Sequence, residues 1–259
     1  SRGLGDVYKR QGIFRKGGIH IFHFAYKANA PEDRLLKIGD FVLSLSMPYS
    51  AGVFFLVMKL KPPKIIRHLF PSLIWEIDDP EGVFLTFDDG PTPGITEWIL
   101  AMLEKYDAKA TFFVLGKNVE AYPDLFRRIV DAGHKVGNHT YSHQKGWGMS
   151  LERYIEDVDF ANDLIHSELF RPPYARITPA QARALSQRYK LVMWDVLSRD
   201  YSRSLSPRKC LKNVTKHLEP GAIVVFHDSE KSFRNMRYAL PRTLDKIRKL
   251  GLKCKTIEL

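Results

Sequence analysis

The chain has 259 residues, an apolar fraction of 44% and a net charge of +11, enough for one large globular domain or two small ones. Its two cysteines, Cys210 and Cys254, exclude a zinc knuckle or a disulfide framework and read as free buried thiols. The positive balance fits an anionic partner (a cell-wall polymer, a membrane surface or nucleic acid), and it also fits a plain solvated basic face.

The first 57 residues differ in character from the rest. Residues 1–11 read as linker-derived sequence, and 12–30 sustain neither a helical nor a strand period. Residues 41–58 form an eighteen-residue run without a charge, long enough for a membrane span. Three serines, Pro48 and the basic flank Lys59-Leu60-Lys61 argue against that reading. Met58 opens Met-Lys-Leu-Lys-Pro-Pro-Lys, a plausible start, and no clear cleavage site follows the apolar run.

From residue 65 strands and helices alternate. Residues 83–87 are five apolar or β-branched residues in a row, a strand buried on both faces, closed by the turn-forming Gly90-Pro91-Thr92-Pro93-Gly94. A helix is expected over 95–106, a strand over 110–115, and a helix over 123–132 with Pro123 first and Gly133 just past its end. A short strand at 135–138 precedes a long helix at 150–168. Strand 169–171, helix 178–188, strand 191–195, helix 207–218, strand 222–226, helix 238–250 and strand 252–257 complete the chain. After Tyr201, 14 basic residues face 5 acidic ones, without the aromatic–basic interleaving of a nucleic-acid module. Six or more βα units with apolar strands imply a parallel sheet with helices outside, closed or partly closed into a barrel, with chemistry at the C-terminal strand ends.

Five polar clusters follow predicted strands. Asp88 and Asp89 sit where the first strand ends, so alternation sends the two carboxylates to different places; taken alone, Asp-Asp-Gly-Pro fits a solvated turn equally well. His139 and His143 are four apart and can face one way on a helical turn. With Asp89 they form a two-histidine, one-carboxylate set that leaves positions open on a metal, although two such histidines alone are more often structural. Arg171-Pro172-Pro173-Tyr174 ends another strand, and a buried guanidinium there needs a carboxylate, for which Asp88 is available. Trp194-Asp195 through Asp200-Tyr201 is the fourth cluster. The fifth, Val224-Val225-Phe226-His227-Asp228, is an apolar strand ending in histidine.

In this order the clusters resemble the polysaccharide deacetylase family (the NodB homology domain, carbohydrate esterase family 4), over about residues 82–259. Thr86-Phe87-Asp88-Asp89-Gly90-Pro91 and His139-Thr140-Tyr141-Ser142-His143 look like complete first and second motifs. Arg171–Tyr174 resembles the third, Asp200-Tyr201 stands where Asp-Trp is usual, and Val225-Phe226-His227 stands for Leu-x-His. The resemblance implies an α/β fold, a distorted (β/α) barrel with parallel strands inside and helices outside. It implies a metal-dependent hydrolase acting on acetylated sugars, with Asp89, His139 and His143 holding a divalent ion, Zn2+ or else Co2+. Asp88 would be general base, oriented by Arg171. The Tyr174 backbone N–H would hold the oxyanion, and His227, paired with Asp200, would protonate the leaving amine.

Pro172, Trp147, Tyr201 and Val225 are candidate substrate contacts, Trp147 equally well an ordinary half-buried aromatic; Leu197 replaces an acid common in relatives. The expected organisation is 1–57 as a poorly organised or non-native segment, 58–81 as a lead-in, and 82–259 as the catalytic domain. A chain starting at Met58 should then fold and keep its activity. The expected partner is an acetylated polysaccharide, peptidoglycan or chitin-like, met in the bacterial cell envelope by a monomer, with no nucleic acid and only weak indications of a membrane. Rival readings are an O-acetyl esterase on xylan or a similar glycan, a non-catalytic sugar-binding domain, and a nucleic-acid binder using the basic C-terminal third.

Overall fold

In the computed structural model the described residues are 72–259, together with a two-stranded antiparallel hairpin, β1 (Leu35–Ile38) with β2 (Phe41–Ser44). The uncharged run 41–58, apart from its first four residues, and the proposed start at Met58 lie outside the described residues. Among the described residues no helix is long and apolar enough to cross a membrane.

The expected central strand is β4 (Gly82–Asp88), buried along its whole length. Its alternation therefore sorts side chains between two interiors. Val83, Leu85 and Phe87 join an apolar layer beneath the helices, while Phe84 belongs to a second cluster on the opposite face, the face shared by Thr86 and Asp88. The same sorting recurs in β5 (Thr111–Val114) and β10 (Ile223–His227). Phe112, Val114, Val224 and Phe226 lie in the outer layer, and Phe113, Ile223 and Val225 lie in the inner one. Phe87 stacks between Phe112 and Phe226, with centroids 5.0 and 6.1 Å away, which ties three adjacent strands together.

Nine parallel strands are present among the described residues. They are β3 (Leu73–Ile74), β4, β5, β6 (Lys135–Asn138), β7 (Leu169–Phe170), β8 (Lys190–Val192), β9 (Val196–Leu197), β10 and β11 (Lys253–Cys254). Their order is β3-β8-β7-β6-β5-β4-β10-β9, with β11 beside the start of β4. The sheet curls because residues 73–77 reach across its ends. Met193 N–H donates to Ile74 O (2.7 Å), Ile77 N–H donates to Gly221 O (3.0 Å), and Glu76 bridges Ala222 just before β10. The result is the expected distorted (β/α) barrel, with α1 (Ile95–Lys105), α2 (Gly116–Ala121), α3 (Pro123–Asp131), α4 (Leu151–Ile165), α5 (Pro179–Leu185), α6 (Pro207–Thr215) and α7 (Glu230–Lys249) following its strands. Cys210 is buried and Cys254 half-buried, both free.

Several expectations shift: helix 207–218 ends at Thr215, helix 178–188 at Leu185, strand 252–257 shortens to Lys253–Cys254, and α2 was not expected. The strand expected over 191–195 splits into β8 and β9, because the backbone changes neighbours there: Met193 bonds toward β3 and Asp195 N–H donates to Ile223 O (3.0 Å). Helix α4 stops at Ile165 rather than 168, since His166 takes a left-handed φ of 54°. Helix α7 begins at Glu230, eight residues before the expected start and in spite of Pro241 inside it. Its buried stripe includes Ser232, Asn235 and Thr243, which hide the apolar period from a reading of hydrophobicity.

Gly137, in β6, has no room for a side chain. A Cβ there would lie 2.5 Å from the Phe113 ring and 3.3 Å from Leu169 Cβ. Phe113 in turn carries the Arg171 guanidinium 4.0 Å from its centroid. Gly137→Ala is expected to destabilise the fold by about 1–3 kcal/mol, the usual cost of overpacking. Urea unfolding reads this as a lower midpoint; an unchanged midpoint would mean that the ring yields freely.

Candidate active site

The inward register of β4 and β10 places Asp88 directly beside His227, the two being paired residues at the ends of adjacent strands. Asp88 is buried, and Arg171 Nη1 donates to its Oδ1 at 2.6 Å. Arg171 follows β7 and is fully buried, so all its donors need acceptors. Nη1 also donates to Thr86 Oγ1 (2.7 Å), Nε to Val192 O (3.2 Å) and Nη2 to Met193 O (2.8 Å). The guanidinium is thus fixed by β4 and by the end of β8, and it fixes the carboxylate. The ion pair expected from the sequence between Arg171 and Asp88 is present.

Asp89 leaves the strand at φ 83°, which swings its side chain away from that of Asp88. Its carbonyl accepts from Asn118 Nδ2 (2.8 Å) and its N–H donates to Phe113 O (3.2 Å). His143 Nε2 and His139 Nε2 lie 3.1 and 3.7 Å from Asp89 Oδ1. The histidines do not share a helical turn, as their spacing suggested. Thr140 (φ 70°) and His143 (φ 61°) are left-handed, so segment 139–143 is a folded loop. Asp157 secures that loop by accepting from Ser142 Oγ (2.6 Å) and Tyr141 N–H (3.0 Å), and Asn138 Oδ1 accepts from Thr140 N–H (2.8 Å).

The outer ring nitrogens are taken up elsewhere. His139 Nδ1 is 2.7 Å from Arg171 O, which only a protonated Nδ1 can satisfy, so its Nε2 carries the lone pair toward Asp89. His143 Nδ1 is 3.2 Å from Tyr174 Oη. Burial, partly offset by Asp88 and Asp89, pushes the His139 pKa down to about 4, which keeps the ring neutral. Burial raises the Asp89 pKa, but the contact with His143 and the charges of His227, His139 and His143 outweigh it and hold the carboxyl well below its usual range. Asp89 Oδ1 is buried and accepts no well-directed hydrogen bond. One carboxylate oxygen and two imidazole nitrogens within 4.8 Å of one another form a donor set that fits a divalent ion.

On the other side of Asp88, His227 Nδ1 is 2.7 Å from Asp200 Oδ1, and His227 N–H donates to Asp200 Oδ2 (2.8 Å). Burial works against a charged ring, but Asp200 beside it, with Asp89 and Asp88 behind, raises the His227 pKa to about 9. Asp200 is fully buried after β9, and its carbonyl accepts from Asn235 Nδ2 (2.8 Å) on α7.

The remaining candidates are placed differently from one another. Tyr174 is exposed, left-handed at φ 59°, with its ring 4.7 Å from the His143 ring. The N–H groups of Ala175 and Arg176 beyond it are spent on Pro172 O and Pro173 O. Pro172 is buried in the turn that sets this bend. Tyr201 meets the His227 ring edge-on at 4.9 Å. Val225 lies one layer below His227, fully buried and paired with Leu197 in the barrel interior, where it forms floor rather than open surface. Trp147 is half-buried; its Nε1 donates to Ile177 O (3.4 Å) and Arg176 lies 5.2 Å over its ring.

The sequence places Asp228 at the end of the fifth cluster without a role, and the fold supplies one. Its N–H donates to Asp88 O (2.7 Å), its carbonyl accepts from Thr92 Oγ1 (2.7 Å) and its Oδ2 accepts from Thr96 Oγ1 (2.6 Å). A Cβ on Gly90 would come 2.2 Å from that carboxylate. Burial raises the Asp228 pKa to about 7. Its position after the strand-end histidine was the one available signal.

A curled parallel barrel whose C-terminal mouth carries a two-histidine, one-carboxylate trio beside two buried polar pairs is the layout of a hydrolytic enzyme class. Comparison with known proteins narrows this. The sequence model of the family described as Polysaccharide deacetylase matches residues 77–193. A peptidoglycan-N-acetylglucosamine deacetylase of Bacillus cereus is 36% identical over 154 residues, 57% of this chain and 56% of that protein. A second B. cereus protein of that name is 31% identical over 192 residues, 71% of this chain and 90% of that one. The chain therefore spans about half the length of the first and nearly all of the second. The crystal structure of a peptidoglycan N-acetylglucosamine deacetylase bound to 4-naphthalen-1-yl-N-oxidanyl-benzamide superimposes with a TM-score of 0.68 at 28% identity, covering 72% of this chain and 91% of that one. The chain belongs to the polysaccharide deacetylase family.

Proposed function

We propose that this chain is a metal-dependent hydrolase that removes N-acetyl groups from N-acetylglucosamine units of a polysaccharide, peptidoglycan before chitin, and acts at the bacterial cell envelope. The observation that carries the reading is the convergence of His139 Nε2 and His143 Nε2 on Asp89 Oδ1, at 3.7 and 3.1 Å, while both Nδ1 atoms are engaged elsewhere. The names of the relatives support the substrate.

Asp89, His139 and His143 would hold the ion, most naturally zinc with cobalt as a substitute. Such an ion, when bound, acidifies a water and polarises an acetyl carbonyl. Asp88 takes the proton of the attacking water as general base, and Arg171 keeps its carboxylate aimed. The Tyr174 N–H, presented by the left-handed bend after Pro172-Pro173, donates to the oxyanion that forms as water adds. His227, charged and held by Asp200, gives its Nε2 proton to the leaving amine, so the C–N bond breaks without expelling an amide anion. Tyr201 flanks that ring, and Trp147 and Tyr174 offer faces to sugars.

Acetate release from N-acetylglucosamine oligomers, peptidoglycan and acetylated xylan tests the reading. Dialysis against chelator is expected to remove at least ~99% of the rate, with zinc or cobalt restoring it, since the nucleophile depends on the ion. Undiminished release in chelator would remove the metal mechanism, and release from xylan alone would reassign the enzyme as an O-acetyl esterase.

A further inference from the structure

Two aromatic side chains flank the catalytic groups, and each carries exposed cations. On the metal side, Tyr174 packs on His143, and Arg176 lies 5.8 Å from the Tyr174 ring and 5.2 Å from that of Trp147. On the acid side, Tyr201 packs on His227 and Lys231 Nζ lies 5.5 Å over the Tyr201 ring. Arg199, left-handed at φ 58°, is close enough to the Tyr201 phenol to offset part of the upward pKa shift that burial gives it. Arg176, Arg199 and Lys231 are all exposed.

Among the described residues none of the three takes part in an ion pair. What sets them apart is position: Arg176 and Lys231 lie over aromatic rings beside the catalytic groups, and Arg199 lies next to the Tyr201 phenol. Three exposed cations without acidic partners around one mouth favour an anion there. A neutral sugar needs only the ring faces. Charge on both flanks is surplus to acetyl hydrolysis and points to the substrate.

We infer that this mouth selects a glycan bearing anionic groups, carboxylate or phosphate, within a sugar or two of the acetylated unit, engaged by Arg176 on one side and by Arg199 and Lys231 on the other. This rests on the deacetylase reading above and narrows its substrate class. The anions of such a polymer come from carboxylates on peptide or lactyl substituents or from phosphates on sugar hydroxyls.

The test compares kcat/KM on four substrates: an N-acetylglucosamine tetramer, a disaccharide–peptide fragment with free carboxylates, the same fragment with those carboxylates amidated, and a phosphorylated N-acetylglucosamine oligomer. Calorimetric binding of the same four ligands runs alongside and does not depend on turnover. The wild-type chain is expected to prefer an anionic substrate over its neutral counterpart, and to lose that preference between low salt and about 0.5 M salt. Preference for the free over the amidated fragment identifies carboxylate, and preference for the phosphorylated oligomer identifies phosphate. Arg176→Gln, Arg199→Gln and Lys231→Gln should each cut the anionic-to-neutral ratio roughly two- to fivefold, the range for exposed charge contacts. Lys249→Gln, at the far end of α7, should leave the ratio unchanged. Equal, salt-insensitive kcat/KM and affinity for charged and neutral ligands would overturn the inference while leaving the deacetylase reading intact. Preferential anionic binding without acetate release from any substrate would do the reverse.

Discussion

Asp88→Asn is expected to lower kcat by about 10²–10⁴-fold, the usual worth of a positioned acid–base group, while leaving metal content at the wild-type level. Asp89→Asn, one residue on, should do the opposite: metal affinity falls, and excess metal recovers part of the rate. The two residues are chemically identical, so the difference comes from the backbone. Asp88 ends β4 facing the barrel interior and is locked by Arg171 Nη1 at 2.6 Å. Asp89, at φ 83°, turns out of the strand toward His139 and His143. An asparagine at 88 still accepts from Arg171 through its carbonyl oxygen but cannot take a proton. It also leaves the guanidinium buried without its counter-charge, which costs stability of the order of 3–5 kcal/mol. Metal analysis together with kcat, on variants checked for folding by circular dichroism, separates these effects. Loss of metal in Asp88→Asn with retention in Asp89→Asn would reverse the assignment.

Much of this site was legible in the sequence because the chemistry sits at strand ends, and strand ends are marked by apolar runs that stop. The run 83–87 gave both the central strand and the two acids after it, and the strand before His227 was found the same way. The buried Arg171 could be matched to Asp88 because a guanidinium inside a barrel has few other partners. What escaped depends on backbone conformation and long-range hydrogen bonding. No side-chain pattern reports that Thr140 and His143 are left-handed, so a helical turn seemed the way to bring His139 and His143 together. Asn235 and Ser232 look like surface positions of a helix, yet they are buried, and Asn235 Nδ2 donates to Asp200 O and Ser202 O, 35 and 33 residues away. The role of Asp228 was hidden for the same reason, since its partners Thr92 and Thr96 lie on a different βα unit. Val225 was expected to touch substrate from its place in a motif, whereas its register puts it a layer below the mouth.

The second large effect belongs to His227. His227→Gln is expected to cost about 10²–10⁴-fold in kcat with metal retained, because the amine would then leave unprotonated. The more discriminating variant is Asp200→Asn, which keeps the shape of the pair and removes its charge. In the folded chain burial pulls the His227 pKa down, and Asp200, at 2.7 Å, more than reverses this, leaving it at about 9. A pKa raised above the ordinary 6.5 means that the folded state holds the proton more tightly than the unfolded one. The pair's contribution to stability is therefore fully present below about pH 6.5 and is lost as pH rises through about 9. The same proton is the one delivered to the leaving group, so kcat should fall on a basic limb near pH 9 in the wild type. Without the Asp200 charge, burial has the larger say, and the limb should move toward acid by more than a unit, so that activity at pH 8 drops far more than activity at pH 6. Stability should shift in parallel, with the Asp200→Asn deficit in urea midpoint largest at pH 6 and shrinking toward pH 10. A basic limb that stays near 9 in both Asp200→Asn and His227→Gln would mean that another group supplies the proton to the amine.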